Sequence, residues 1–251
     1  MLTIAGSDPS GGAGIAVDLT TFHALGVQGL PVVTAVTSQT ESKFFSANPL
    51  SGRLLREQMR AVLEIHHEHP IDAVKIGMLG TEENVLAVYR FLLQSKIPQV
   101  VLDPVLKSST GAILLDIKGM NVLRELLIPL ATVLTPNLDE AEALTKLQVR
   151  SLETMKEAAL HLHSAHNGVG AVLIKGGHLK KESLPESQGP TDILYDGQDW
   201  TEFPSKKKFS RDVHGTGCAL SAALAAHLAR GESLQQSVKG AKEFVIHYLQ
   251  K

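Results

Sequence analysis

The chain has 251 residues and a mass of 27.0 kDa, enough for one large α/β domain or two small ones with a substantial buried core. Hydrophobic residues at 43% and charged residues at 20% exclude disorder as a whole-chain description, and a formal charge of −2, from 24 Lys+Arg against 26 Asp+Glu, gives no electrostatic reason to expect nucleic acid or an acidic membrane as partner. A lone cysteine, Cys218, excludes an internal disulfide and a multi-thiolate metal site; with no signal-peptide pattern in residues 1–6 and no apolar run near the roughly 18 residues of a membrane span, a cytoplasmic protein is expected.

In chain order, short apolar runs at 2–5, 30–36, 73–76, 100–102, 132–134 and 171–174 read as buried strands. Between them, 13–25, 52–67, 81–94 and 151–167 carry apolar residues at helical spacing, as Ile15, Leu19, Phe22 and Leu25 do. Such alternation predicts an α/β fold, a mostly parallel sheet with helices on both faces, and it directs the search for ligands to the C-terminal ends of the strands. Residues 180–190 read as a surface loop, 191–195 and 200–203 as a hairpin turning at Asp196-Gly197, and 217–230 and 233–249 as closing helices. No Pro/Ser linker and no internal repeat divides the chain, so a single domain over 1–251 is expected.

The first strand runs into Gly6-Ser7-Asp8-Pro9-Ser10-Gly11-Gly12-Ala13-Gly14, whose glycines let backbone approach a ligand at a helix start. It is no P-loop, because Gly-Lys-Ser/Thr is missing, and no dinucleotide fingerprint, because Val17 stands where the third glycine belongs. A tight turn between strand and helix explains the same residues equally well. Asp103, between the strand at 100–102 and Pro104, is a carboxylate on the ligand edge. After the strand at 132–134, Asn137 and Glu140 stand three apart at a helix start, where they suit the water shell of Mg²⁺ or, as the spacing alone favours, a capping-box pair. Lys175, just before Gly176-Gly177, is either a counter-charge for a transferring phosphoryl group or a solvated loop residue.

The last cluster, His214-Gly215-Thr216-Gly217-Cys218, opens a helix of small apolar residues. The backbone N–H groups of Gly215, Thr216 and Gly217 are placed to converge on an anion, reinforced by the helix dipole. That dipole is expected to lower the Cys218 thiol from about 8.5; the alternative is a small buried hydrophobe. His66, His67, His69, His161, His163 and His166 lack the spacing of a zinc protease and read as solvated helix faces, as does Lys206-Lys207-Lys208, with contact to ATP phosphates as the lesser alternative.

Taken together and in order, Thr3-Ile4-Ala5-Gly6-Ser7-Asp8-Pro9-Ser10-Gly11-Gly12-Ala13-Gly14-Ile15, Lys75-Ile76-Gly77-Met78-Leu79, Asp103-Pro104-Val105, Thr135-Pro136-Asn137-Leu138, Lys175-Gly176-Gly177-His178-Leu179 and His214-Gly215-Thr216-Gly217-Cys218 resemble the hydroxymethylpyrimidine and phosphomethylpyrimidine kinases of thiamine biosynthesis, within the ribokinase-like superfamily. The resemblance covers nearly the whole chain. It implies a three-layer α/β/α fold, a homodimer, and MgATP-dependent phosphorylation of a hydroxymethyl group and then of the resulting phosphate. It also implies an anion hole at Gly215, Thr216 and Gly217, and Cys218 as base where many superfamily members carry Asp. Gln39 would pair with the pyrimidine edge, Met78 and Val105 would pack on the ring, and Asp18 and Gly6 would lie near the substrate. Asn137, Glu140, Asp103, Lys175 and Thr216 would serve ATP and Mg²⁺, with Glu140 and Asp103 at the metal. Val17, Leu106, Val213 and Ala219 stand where Gln, Met, Thr and Thr are common, and 41–45 lacks the glycine of the family's flap. Two other functions remain in view: a pyridoxal or pyridoxine kinase, against which Gln39 and Met78 argue, and a non-catalytic binding protein, which would need neither Cys218 nor the Asn137/Glu140 pair.

Overall fold

The structure, a computed structural model, describes residues 1–40, 42–166, 168–177, 189–205 and 215–248. The motif residues His178, Leu179, Lys206, Lys207, Lys208, Val213 and His214 and most of the expected 180–190 loop lie outside them.

The expected strands are unbroken apolar runs because each is buried on both faces. In β4 (Ala73–Ile76), Ala73 joins one apolar cluster while Val74 and Ile76 join another on the opposite side. The same alternation governs β1 (Leu2–Ser7), β5 (Gln99–Leu102), β6 (Val133–Leu134) and β7 (Ala171–Ile174). With β2 (Leu30–Gln39), these strands pair in parallel. Three antiparallel strands complete the edges: β3 (Phe44–Pro49) on β2, then β8 (Thr191–Tyr195) and β9 (Trp200–Pro204) beyond β7. The sheet order is β3-β2-β1-β4-β5-β6-β7-β8-β9.

Helices α1 (Gly14–Ala24), α7 (Thr216–Ala229) and α8 (Leu234–Tyr248) cover one face, where Phe22, Leu224 and Val238 share a cluster. On the other face lie α2 (Gly52–Glu68), α3 (Glu82–Ser95), α4 (Ile117–Val122), α5 (Leu138–Thr145) and α6 (Leu152–Ala165), with Leu55, Val88, Leu144 and Leu162 in the second cluster. This is the expected three-layer ribokinase-like arrangement.

Three local differences have physical reasons. β3 is not among the expected strands: Phe44-Phe45-Ser46-Ala47-Asn48-Pro49 does not alternate cleanly, but it forms an edge strand, where a terminal proline is tolerated. α4 passes into a π-helical turn, Leu123–Leu127, and a 3₁₀ turn, Ile128–Leu130, ending where Pro129 removes a donor. Two histidines are not solvated: His66 accepts from the Ile71 amide at 2.8 Å, and His166 is buried, which lowers its pKa with help from Arg124 and His161.

Candidate active site

Parallel strands of one hand deliver their C-terminal ends to one edge, and there the turn after β1, the end of β2, the turns after β4, β5, β6 and β7 and the start of α7 enclose a cavity of about 880 Å³. Gly6, Gln39, Met78, Asp103, Val105, Asn137, Glu140, Lys175, Gly215, Thr216, Gly217 and Cys218 all line it. Every expected site residue is therefore brought together except Asp18.

One end of the cavity is apolar. Ala35, Met78 and Leu114 form a small cluster, with Phe44, Ala47 and Val105 packed against it. Gln39, at the end of β2, pairs in register with Phe44 across the β2–β3 edge and adds a donor and an acceptor to this end. A Cβ on Gly6 would stand 2.9 Å from Met78 Sδ, so a side chain there would displace Met78.

The other end is built to receive negative charge. Gly215 is the N-cap of α7 with φ of 84°, and a Cβ on it would collide with the carbonyl oxygen of Gly12, so the two glycine-rich turns interlock. Thr216, Gly217 and Cys218 then supply the first-turn N–H groups of α7, which have no intrahelical acceptors. Lys175 stands alongside, with its Nζ 3.4 Å from where a Cβ on Gly217 would be. It donates to Asp103 at 2.7 Å and lies 3.9 Å from Glu140, and although burial opposes its charge, Asp103 and Glu140 hold it above its ordinary pKa.

Asn137 and Glu140 form the capping box that their spacing favoured, each accepting the other's backbone N–H at 2.8 Å. The cap and the cavity role coexist, because Glu140 also lines the cavity. Burial, with Asp103 adding to it, pushes the Glu140 carboxyl up to about 7 against the pull of Lys175. Asp103 is more committed than expected. Besides Lys175, it accepts from Thr135 Oγ1 and Ser221 Oγ, each at 3.2 Å, so it anchors Lys175 rather than standing open to a metal. Among the described residues no cluster of three or more His, Cys, Asp or Glu makes a dedicated metal cage.

Two expectations are corrected. Asp18 does not face the cavity; its side chain is 0% exposed and both its oxygens bind Lys75, so it stands behind the wall. The Cys218 thiol is raised, not lowered: burial pushes it up, while the Lys75 ammonium and the Gly14 amide pull it back and Asp18 and Asp103 add to the rise. No role was expected of Phe44, Leu114 or Lys75, although Lys75 opens the Lys75-Ile76-Gly77-Met78-Leu79 string. For Lys75 the signal was present, a charge in the middle of a buried strand.

A sequence profile of the phosphomethylpyrimidine kinase family matches residues 8–251. A hydroxymethylpyrimidine/phosphomethylpyrimidine kinase of Aquifex aeolicus is 38% identical over 244 residues, 97% of this chain and 91% of the relative. Among solved structures, a phosphomethylpyrimidine kinase of Clostridium difficile superposes with a TM-score of 0.84 at 34% identity, covering 99% of this chain and 98% of the other. A pyridoxal kinase of Staphylococcus aureus in complex with AMP-PCP and pyridoxal superposes with a TM-score of 0.84 at 35% identity, covering 98% and 85%. With the profile spanning nearly its whole length, this chain belongs to the phosphomethylpyrimidine kinase family and is a phosphotransferase.

Proposed function

We propose that this chain transfers the γ-phosphoryl group of ATP to the hydroxymethyl group of 4-amino-5-hydroxymethyl-2-methylpyrimidine, and a second to the phosphate so formed, giving the diphosphate used in thiamine biosynthesis. The observation that carries this reading is one cavity with Gln39 and the Met78, Val105 and Phe44 surfaces at one end and the Gly215–Cys218 turn at the other. An aminopyrimidine ring fits the first end: its faces are apolar, and its edge needs the donor and acceptor of one amide. In the first step Cys218 as thiolate takes the hydroxyl proton while the substrate oxygen bonds to the γ-phosphorus; the bond to the bridging oxygen breaks and ADP leaves. The N–H groups at the start of α7 and the Lys175 ammonium face the charge on the transferring group. In the second step the attacking oxygen belongs to a phosphate already mostly dianionic at neutral pH, so no proton need be removed.

The site fits Mg²⁺ in the way that ion is usually held, by one or two carboxylates, phosphate oxygens and water. Glu140, a carboxylate on the cavity wall that burial pushes up to about 7, would hold it, with Asn137 beside it. Its chemistry would be to neutralise charge on the phosphates. A homodimer and a cytoplasmic setting complete the reading, supported by exposed Val36 and Phe45 on the β2–β3 edge and by the lone cysteine.

The deciding experiment is an ADP-release assay of the purified protein with MgATP and three acceptors: the hydroxymethylpyrimidine, its monophosphate and pyridoxal. Turnover of both pyrimidines well above pyridoxal is expected. Pyridoxal as the best acceptor would transfer the chain to the activity of its Staphylococcus neighbour, and turnover of none would leave a binding protein.

A further inference from the structure

Lys75 occupies a position where the sheet calls for an apolar residue, the α1/α7 side of β4. Its side chain and that of Asp18 on α1 are both 0% exposed, and its Nζ donates to both carboxylate oxygens at 2.8 Å. Thr3, its register partner across β1 and β4, donates to the same carboxylate at 2.6 Å. A pair so deeply buried is a poor device for stability, because desolvating two charges offsets most of their attraction and apolar residues of like volume would serve as well. Its use lies at the cavity. Lys75 lines the cavity together with Cys218, and Gly77 closes over the ammonium, where a Cβ would stand 2.9 Å from Nζ. An ammonium has three donors. Two go to Asp18, and the third has no protein acceptor among the described residues.

We propose that Lys75 and Asp18 are positioning residues for Cys218: the Lys75 ammonium is the counter-charge that stabilises the thiolate at the start of α7, and Asp18 shares that charge so the sulfur stays basic enough to take a proton. The inference rests on the reading of Cys218 as base. The charged groups whose fields act on this sulfur are Lys75 from β4, Asp18 from α1, Asp103 after β5 and Lys175 after β7, together with the N-terminus of α7 on which it stands. Lys75 is the foremost of the influences that oppose burial, and the thiolate in turn helps to hold Lys75 charged.

Because Cys218 is the sole cysteine, the pH dependence of iodoacetamide alkylation reads its ionisation alone and needs no turnover. The variants are Lys75→Met, Asp18→Asn and the double variant, which leaves no unpaired buried charge. Loss of a neighbouring opposite charge should move the alkylation midpoint of Lys75→Met upward by about one to three units, and that of the double variant upward by less, because the Asp18 charge that opposed Lys75 is removed with it. Asp18→Asn should move it downward. If Lys75→Met does not fold, Asp18→Asn against the double variant decides. With ATP and the hydroxymethyl acceptor, the double variant should lose kcat, with its pH profile displaced upward, and keep the KM for ATP. Midpoints that stay at the wild-type value, or that move the same way in Asp18→Asn and the double variant, would overturn the proposal and leave a structural pair. A wild type that turns over no acceptor would sink the functional reading instead, a result separate from the alkylation midpoints.

Discussion

Glu140 shows how one side chain serves two levels of the structure at once. Its Oε2 closes the cap of α5, and its carboxylate sits in the cavity, charged at a cost that raises it to about 7 from an ordinary 4.5. Between those two values the folded protein keeps a proton that the unfolded chain has released, so stability falls as pH rises through this window and the penalty is complete above it. Glu140→Gln keeps an oxygen for the Asn137 amide but removes the penalty. Measured without metal, the melting temperature of the variant relative to wild type should be level near pH 4.5 and higher by pH 8. Turnover with MgATP should fall by an order of magnitude or more, because a neutral amide is a weak partner for Mg²⁺. A variant that melts lower at every pH and keeps its activity would show that the cap is all that Glu140 does. The carboxylate spacing alone could not have separated these roles, because three residues at a helix start satisfy both; the burial that separates them comes from the strands around it.

At the scale of elements, the strand ends were legible because apolar runs without alternation mark strands buried on both faces, and their C-terminal turns then had to share an edge. What stayed hidden depended on tertiary neighbours. β3 is a strand only because β2 offers a partner, and Phe44 reaches the cavity only through that pairing. The Cys218 thiol was misread for the same reason: the helix start is visible in the sequence, while the burial that raises the thiol, with Asp18 and Asp103 adding to it, comes from tertiary neighbours. Interlocking of the turn after β1 with the start of α7 gives a test at this level. Gly215→Ala meets both a positive φ and the Gly12 carbonyl, whereas Gly231→Ala meets a φ of 79° and no atom within 4 Å. The control should lose about 1–2 kcal/mol for the left-handed backbone alone and keep its activity. Gly215→Ala should lose more in denaturant titration and drop kcat by about 10²–10³, the scale of losing one donor of an anion hole. Equal kinetics in the two variants would mean that the turn does not position the α7 amides.

At the scale of the whole molecule, the site is assembled from nearly every strand of one sheet, from Gln39 on β2 to Lys175 after β7, and closed by α7 from the far end of the chain. A ligand spanning that edge binds only when the sheet and both helical layers are formed together. The single-domain expectation therefore becomes a thermodynamic one: the chain should unfold in one transition, and MgATP should move the whole of it. At a ligand concentration 100 times its dissociation constant the stabilisation is about 2.7 kcal/mol, and for a chain of this length each kcal/mol raises the melting temperature by about 2–4 °C. An upward shift of roughly 5–10 °C is expected by scanning calorimetry, with the calorimetric and van't Hoff enthalpies remaining equal. Two resolved transitions, of which ATP moves only one, would show that the β2–β3 edge carrying Gln39 folds apart from the α7 side, and that the pyrimidine end and the phosphate end of the cavity are brought together by binding rather than by the fold.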